Sequence, residues 1–301
     1  MNFDLMPRGP FNLANTNQYF GGWLTLGSDQ KAIVMTFPVE GWQASAAVVM
    51  HQDSSGTVHG EVYCGDAHAE AAWKQALAAL SLDYDGSGWS AAGERGPPLG
   101  QLQREHKYLC PVLFHSPYES AVAFVIGHRI SVKQGRAIRQ RMAQQHGDKI
   151  KVGNEVFHAF PRPQVLKTLT DIVGVSSAKI PRLHAIADAA LEGWLNRATL
   201  RAMSEDEALE KLRSLPGIGA FFSQGILYRG AGLADAVTDD EMTKKAFQRA
   251  FSLSKPPDYE TMLRLAELWR PYRMWATVLL HVSLRREGER QRTRKTLLRK
   301  R

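Results

Sequence analysis

The 301-residue chain has only two cysteines, Cys64 and Cys110. They lie far apart, form no CxxC motif and cannot supply the ligand set of an iron–sulfur cluster. They read as buried free thiols in a reducing compartment rather than as a disulfide. No apolar run is long enough to span a bilayer, so no membrane partner is expected. The stretch MNFDLMPRGPFNLANTNQYF lacks the charged and apolar blocks of a signal peptide, so the expected location is the cytoplasm of a bacterial-type cell. No internal repeat is present. Evenly spread charge is lacking too: of the net +8, the segment Arg285–Arg301 contributes +7, from nine Lys or Arg and two Glu. That tail reads either as a loose attraction to nucleic acid or as a disordered solubilising segment.

What the chain does have is concentrated between Leu212 and Phe247, LRSLPGIGAFFSQGILYRGAGLADAVTDDEMTKKAF. Pro216-Gly217-Ile218-Gly219 makes a tight turn between a helix ending near Leu215 and a helix running from about Ala220 to Tyr228. Glycines at 217 and 219 can take positive φ and expose backbone amides at a helix N-terminus, where the dipole favours an anion. Such a hairpin clamps a nucleic-acid phosphate, or is an ordinary helical hairpin whose glycines only permit close packing. Asp239 and Asp240 then open the next helix. Thr238-Asp239-Asp240-Glu241 has the form of a capping box, which accounts for Thr238 and Glu241 but does not require two aspartates between them. A carboxylate near a clamped backbone can stabilise a cationic sugar or position water.

The LPGIG hairpin, the Arg229-Gly230 pair and the Asp239-Asp240 pair together resemble the helix-hairpin-helix (HhH-GPD) DNA glycosylases. Among them the 3-methyladenine DNA glycosylase II (AlkA) type is the nearest likeness. The run Leu268-Trp269-Arg270-Pro271-Tyr272-Arg273, continuing to His281, resembles the next helices of that type. The likeness spans residues 105–286 well and 1–104 loosely. It implies an α+β, mostly α architecture: an N-terminal domain over 1–104 resembling half of a TATA-binding-protein fold, then an all-helical glycosylase domain over 105–286, then a basic, disordered tail over 287–301.

The patterning agrees with that division. Residues 31–37, 44–50 and 57–63 read as antiparallel strands separated by turn residues, and Ala67–Leu80 as a helix. Trp23, Trp42 and Trp73 read as core. Residues 86–98, rich in Gly, Ser and Pro, read as a linker that extends to about 104. Pro117–Ile130 reads as an apolar helix, with a second helix over Val132–His146. Lys179–Leu191 and Ser204–Leu212 read as further helices, the latter opened by a capping box at Ser204-Glu205-Asp206-Glu207. Lys179 and Arg182 read as solvated surface charge.

The turn Gly127-His128-Arg129-Ile130-Ser131 resembles the family's G-Q-x-[VI]-S element, with His128 in place of the glutamine. By that resemblance Arg129 fills the hole left by a flipped-out nucleotide; as an arginine it reads equally as a phosphate contact or ion pair. Relatives that also cut the strand carry a lysine two residues after the second hairpin glycine. Here that residue is Phe221, and no lysine occurs from Ala220 through Asp240. The expectation is a monofunctional glycosylase without AP lyase activity.

The resemblance thus implies a DNA glycosylase of base excision repair, acting as a monomer on damaged bases in double-stranded DNA. Gly217 and Gly219 hold a phosphate beside Pro216 and Ile218, and Asp240 supports the oxocarbenium-like sugar. No cofactor is implied beyond a structural Na+ or K+ on the carbonyls of Arg213, Leu215 and Ile218. Phe221, Phe222, Tyr228 and Asp239 are the candidates for the base pocket, with core packing the competing role for Phe222 and Tyr228. Two further aromatic pocket positions fall on Gly225 and Ser283, which implies a wider pocket. The competing functions are a catalytically altered protein that only binds damaged DNA and an enzyme of free nucleosides, the latter needing neither phosphate clamp nor basic tail.

Overall fold

The computed structural model describes residues 1–20, 24–26, 32–96 and 98–298, with side chains described except at 17–20, 287 and 289–298. Trp23 and Lys31 lie outside the described residues. The chain forms two compact units, each assembled from separate stretches. The first comprises residues 1–7, 22–83 and 112–233; the second comprises 8–21, 84–111 and the chain from Ala234 onward. These units cut across the division expected at residue 104.

The first unit begins with a fully antiparallel five-stranded sheet in the order β1-β5-β4-β3-β2. Its strands are β1 (Asn2–Leu5), β2 (Leu24–Leu26), β3 (Ala32–Pro38), β4 (Ser45–Gln52) and β5 (Val58–Tyr63). β3, β4 and β5 match the expected strands; β1 and β2 are short edges that carry little sequence pattern. Residues 46–50 of β4 are buried without alternation, because both faces of the sheet are covered. On one face, the Asp66–Ala79 helix sets Trp73 against Gly60, where even a Cβ would come within 2.2 Å of the indole ring. On the other, Val34, Ala47 and Val49 pack with Val152 and Phe157. Those two belong to a hairpin of β6 (Lys149–Val152) and β7 (Glu155–His158). The sequence signal for it was present: Gly153-Asn154 between short apolar-containing runs is a two-residue hairpin turn, and Gly153 has φ +57°.

Helices complete the first unit. Pro117–Gly127, capped by Ser116, is buried along most of its length and packs against Val132–His146 and Ile180–Leu191. It runs three residues shorter than expected. Glu205–Arg213 opens with the expected Ser204/Glu207 capping box.

The second unit corrects the linker. Residues 86–98 are not a connector: Trp89–Arg95 is a helix, followed by Leu99–Glu105. Trp89 is fully buried and packs against Tyr272 and Trp275. Glycines here allow close approach rather than flexibility; a Cβ on Gly93 would meet Gln103 Oε1 at 2.0 Å. Trp275, Leu279 and Val282 are buried, on a helix that runs from Arg273 to Leu298. The basic segment is therefore helical to Leu298, not disordered; residues 299–301 lie outside the described residues. Among the described residues, no helix is long and apolar enough to cross a membrane.

Candidate active site

The hairpin belongs to the first unit. Leu215 and Ile218 are buried and anchor it, and the Ile218 N–H donates to the Leu215 carbonyl at 3.0 Å. Between them Gly217 has φ +84°, a conformation that L side chains rarely adopt. Arg182 lies over this glycine: a Cβ there would sit 2.7 Å from Arg182 Cδ. Arg182 is thus part of the hairpin's wall rather than a free surface charge. Gly219 is the N-cap of the Ala220–Ile226 helix. That helix continues as a wider turn over Leu227–Ala231 and stops at Gly232, φ +83°. Gly230 lets this turn approach the Pro117 helix, where a Cβ would meet Pro117 Cα at 2.9 Å.

The Arg129 turn lies in the same unit. Arg129 is exposed and has φ +63°, so a non-glycine residue holds the left-handed region. Three contacts hold the turn: Ile130 N–H to the Gly127 carbonyl at 3.2 Å, the Ser131/Gln134 capping box, and the Lys179 ammonium, which donates to the carbonyls of Ile126 and His128 at 2.9 Å each. Lys179 is therefore a cap on the end of the Pro117–Gly127 helix, contrary to the solvated charge expected. Burial, with the adjacent Arg182 charge, pulls its pKa below the usual lysine value.

The aromatic candidates separate. Phe221 is 52% exposed. Phe222 is half-buried, with its ring between Phe124 (5.2 Å between centroids) and His128 (5.7 Å, edge-on). Tyr228 is fully buried, and its hydroxyl donates to Glu205 Oε1 at 2.5 Å. It is a core residue and cannot stack on a base, a correction to its place among the pocket candidates. Phe124 was missed: within an apolar helix nothing sets it apart from a core residue. Its ring occupies the space beside Gly225, where a Cβ would be 2.2 Å from Phe124 Cζ. The absent side chain at 225 therefore does not leave that space open.

The aspartates lie in the second unit. The capping box at Thr238–Glu241 does not form. Asp240 itself is the N-cap of the Glu241–Ala250 helix, because its extended backbone aims Oδ1 at the N–H groups of Met242 (2.8 Å) and Thr243 (3.0 Å). Its Oδ2 accepts the Thr243 hydroxyl at 2.6 Å. Thr243 is also 2.7 Å from the Thr238 hydroxyl and 3.1 Å from His281 Nε2. Burial opposes ionisation of Asp240, but the bonds from Thr243 and Thr238 and the charge of His281 outweigh it, and its pKa lies below the usual carboxylate value. Asp239 is exposed and paired with Lys244 at 3.1 Å. Thr243 and His281 are the polar partners that sequence reasoning missed. Among the described residues, no group of three or more His, Cys, Asp or Glu could hold a metal ion.

No family model matches the chain. It is 25% identical over 185 residues to an alkylbase DNA glycosidase-like protein of Schizosaccharomyces pombe, covering 58% of this chain and 83% of that one. It is 28% identical over 170 residues to DNA-3-methyladenine glycosylase 2 of Escherichia coli, covering 55% and 56%. The chain thus spans little more than half of that second relative's length. In three dimensions it resembles the 3-methyladenine DNA glycosylase of Archaeoglobus fulgidus, with a TM-score of 0.76 at 18% identity over 94% of this chain and 97% of the other. Fold, relatives and motifs agree: the chain resembles the helix-hairpin-helix DNA glycosylases, and among them the 3-methyladenine type.

Proposed function

We propose that the chain is a monofunctional DNA glycosylase of base excision repair, which hydrolyses the N-glycosidic bond of alkylated, 3-methyladenine-type bases flipped out of duplex DNA. The observation that carries this reading is Asp240, a half-buried carboxylate on a helix N-terminus, kept ionised by hydrogen bonds from Met242, Thr243 and Thr238 and by the charge of His281. A fixed negative charge stabilises an oxocarbenium-like sugar without reorganising. An alkylated purine already carries positive charge and leaves without a strong general acid, so a single carboxylate suffices. Water then attacks the anomeric carbon.

The other residues take supporting roles. The amides at Gly217 and Gly219, beside Pro216 and Ile218, bind a phosphate. The carbonyls of Arg213, Leu215 and Ile218 are a neutral oxygen set that suits a hard monovalent cation, Na+ or K+. Arg129 fills the gap left by the flipped nucleotide, with His128 beside it. Phe221 and Phe222 recognise the base. Phe221 in place of a lysine supports the lack of an AP lyase step. The five-stranded sheet with one helix on a face supports a likeness to half of a TATA-binding-protein fold. A monomer working on cytoplasmic, nucleoid DNA completes the proposal.

The departures at Gly225, Ser283 and His128 favour a second reading, a protein that binds damaged DNA without turnover. Base release from methylated duplex DNA by wild type and Asp240→Asn separates the two. Free methylpurine from wild type alone supports the glycosylase; duplex binding without release by either supports the binding protein.

A further inference from the structure

A soluble surface that leaves half of a phenylalanine in water, next to three other rings, carries an unfavourable apolar patch unless something covers it. Phe221 is 52% exposed, on the first turn after the hairpin. Phe124 meets it edge-on, with centroids 6.2 Å apart and planes at 85°, and lies 5.2 Å from Phe222. Phe221 and Phe222 are 5.8 Å apart. His128, one helical turn beyond Phe124, closes the row against Phe222. The row is not backed by a bare cation: Arg139 lies over the ring of Phe114, behind Phe124, but it is paired with Glu119 at 3.7 Å.

Phe124 reaches this row only because residue 225 is glycine. A Cβ at 225 would be 2.2 Å from Phe124 Cζ, 2.7 Å from Cε2 and 3.0 Å from Cε1, so any larger residue would displace the ring. The space beside the 225 backbone is therefore filled from the Pro117–Gly127 helix. Phe124 is partly exposed, so its ring is not wholly consumed by packing.

We propose that Phe124 is a specificity-determining residue: with Phe221 it forms the aromatic contact that selects a planar, positively charged base. The ring seated beside Gly225 does the work that a side chain at 225 would otherwise do. The inference rests on the glycosylase reading, which supplies the ligand. A cationic purine is electron-poor and is attracted to ring faces and stacked rings beyond its apolar contact. Leucine at 124 would keep most of the volume and lose that attraction.

The test is single-turnover release of 7-methylguanine from a duplex oligonucleotide carrying one such base. Wild type, Phe124→Leu, Phe124→Tyr and the exchange variant Phe124→Ala/Gly225→Tyr are compared, with thermal unfolding to confirm folding. Phe124→Leu should release the base about tenfold more slowly, the scale of a lost cation–π contact. Phe124→Tyr, which keeps the ring, should stay within about threefold of wild type on the same scale. The exchange variant, with the ring supplied from 225, should recover most of the loss. Wild-type rates in Phe124→Leu would overturn the inference alone. So would equal losses in Phe124→Leu and Phe124→Tyr, which would make 124 a packing position. If wild type releases no base, the glycosylase reading falls and the inference with it. Should the exchange variant not fold, the Leu and Tyr pair decides.

Discussion

The Thr243 hydroxyl lies 2.6 Å from Oδ2 of Asp240 and donates to it, while the Thr243 N–H reaches Oδ1 of the same carboxylate at 3.0 Å. One residue thus grips both oxygens, so the carboxylate cannot rotate without breaking two bonds. Thr243→Val keeps the shape and the backbone bond but removes the hydroxyl. It should cost about 1 kcal/mol of stability, measured by urea unfolding, and lower base release. Thr243→Ser should retain most of both.

Asp240→Asn should abolish base release, by a factor on the order of 10² or more, as expected for a charge that stabilises a transition state. It should also lower stability near neutral pH: asparagine still caps the helix but loses the charge favoured by Thr243, Thr238 and His281. The effect should depend on pH. The folded pKa of Asp240 is lowered, so its stabilising contribution is full above its unfolded value and is lost as pH falls through the folded value. Thermal unfolding of wild type and Asp240→Asn should therefore differ most above the unfolded aspartate value of about 3.9 and converge as pH falls below it through the lowered folded value.

Arg129→Gly should separate stability from activity. The backbone at 129 has φ +63°, which glycine adopts without the steric cost that arginine meets there. The variant should unfold at the same or a higher temperature, with a gain of up to about 1 kcal/mol from relieved strain. It should nevertheless release base more slowly from duplex DNA, because nothing then fills the gap. An equal loss on single-stranded substrate would remove that role from Arg129.

Gly217→Ala should damage both. The φ of +84° is strained for alanine, and the new Cβ would press on Arg182 Cδ at 2.7 Å. A loss of about 1–3 kcal/mol in unfolding free energy is expected. Duplex affinity measured against salt should fall, with a shallower salt slope if the hairpin holds a phosphate.

Tyr228→Phe is the counterpart in the core. The hydroxyl gives its hydrogen bond to Glu205 from a fully buried position. Its loss should cost about 0.5–1.5 kcal/mol in thermal or chemical unfolding and leave the rate of base release within about threefold. A selective loss of activity would return Tyr228 to the base pocket.

Elements with strong local signals were legible in the sequence. Three sheet strands, the helix over 66–79, the Val132–His146 helix and the Ser204 capping box follow from periodicity and cap chemistry, which act over a few residues. The resemblance drawn from LPGIG and the aspartate pair is borne out by fold and relatives. The linker expected over 86–98 failed because glycines there serve close packing, Gly88 against Tyr272 and Gly93 against Gln103, around a buried Trp89, which local sequence pattern does not reveal.

What the sequence determined by itself is the hairpin, the left-handed glycine within it, and the presence of acids at a helix start. These depend on backbone sterics and on groups within one helical turn of each other. Tertiary structure decided the rest. Thr243 and His281, which engage Asp240, are separated by 38 positions and meet only when two helices pack. Phe124 and Gly225 are partners because one helix lacks a side chain where another offers a ring. Lys179 became a cap because its ammonium reaches the open carbonyls of Ile126 and His128 from another helix. Burial and hydrogen bonding across elements, not residue type, decide whether an acid is a cap or a charge for chemistry, and whether an aromatic ring is core or contact surface.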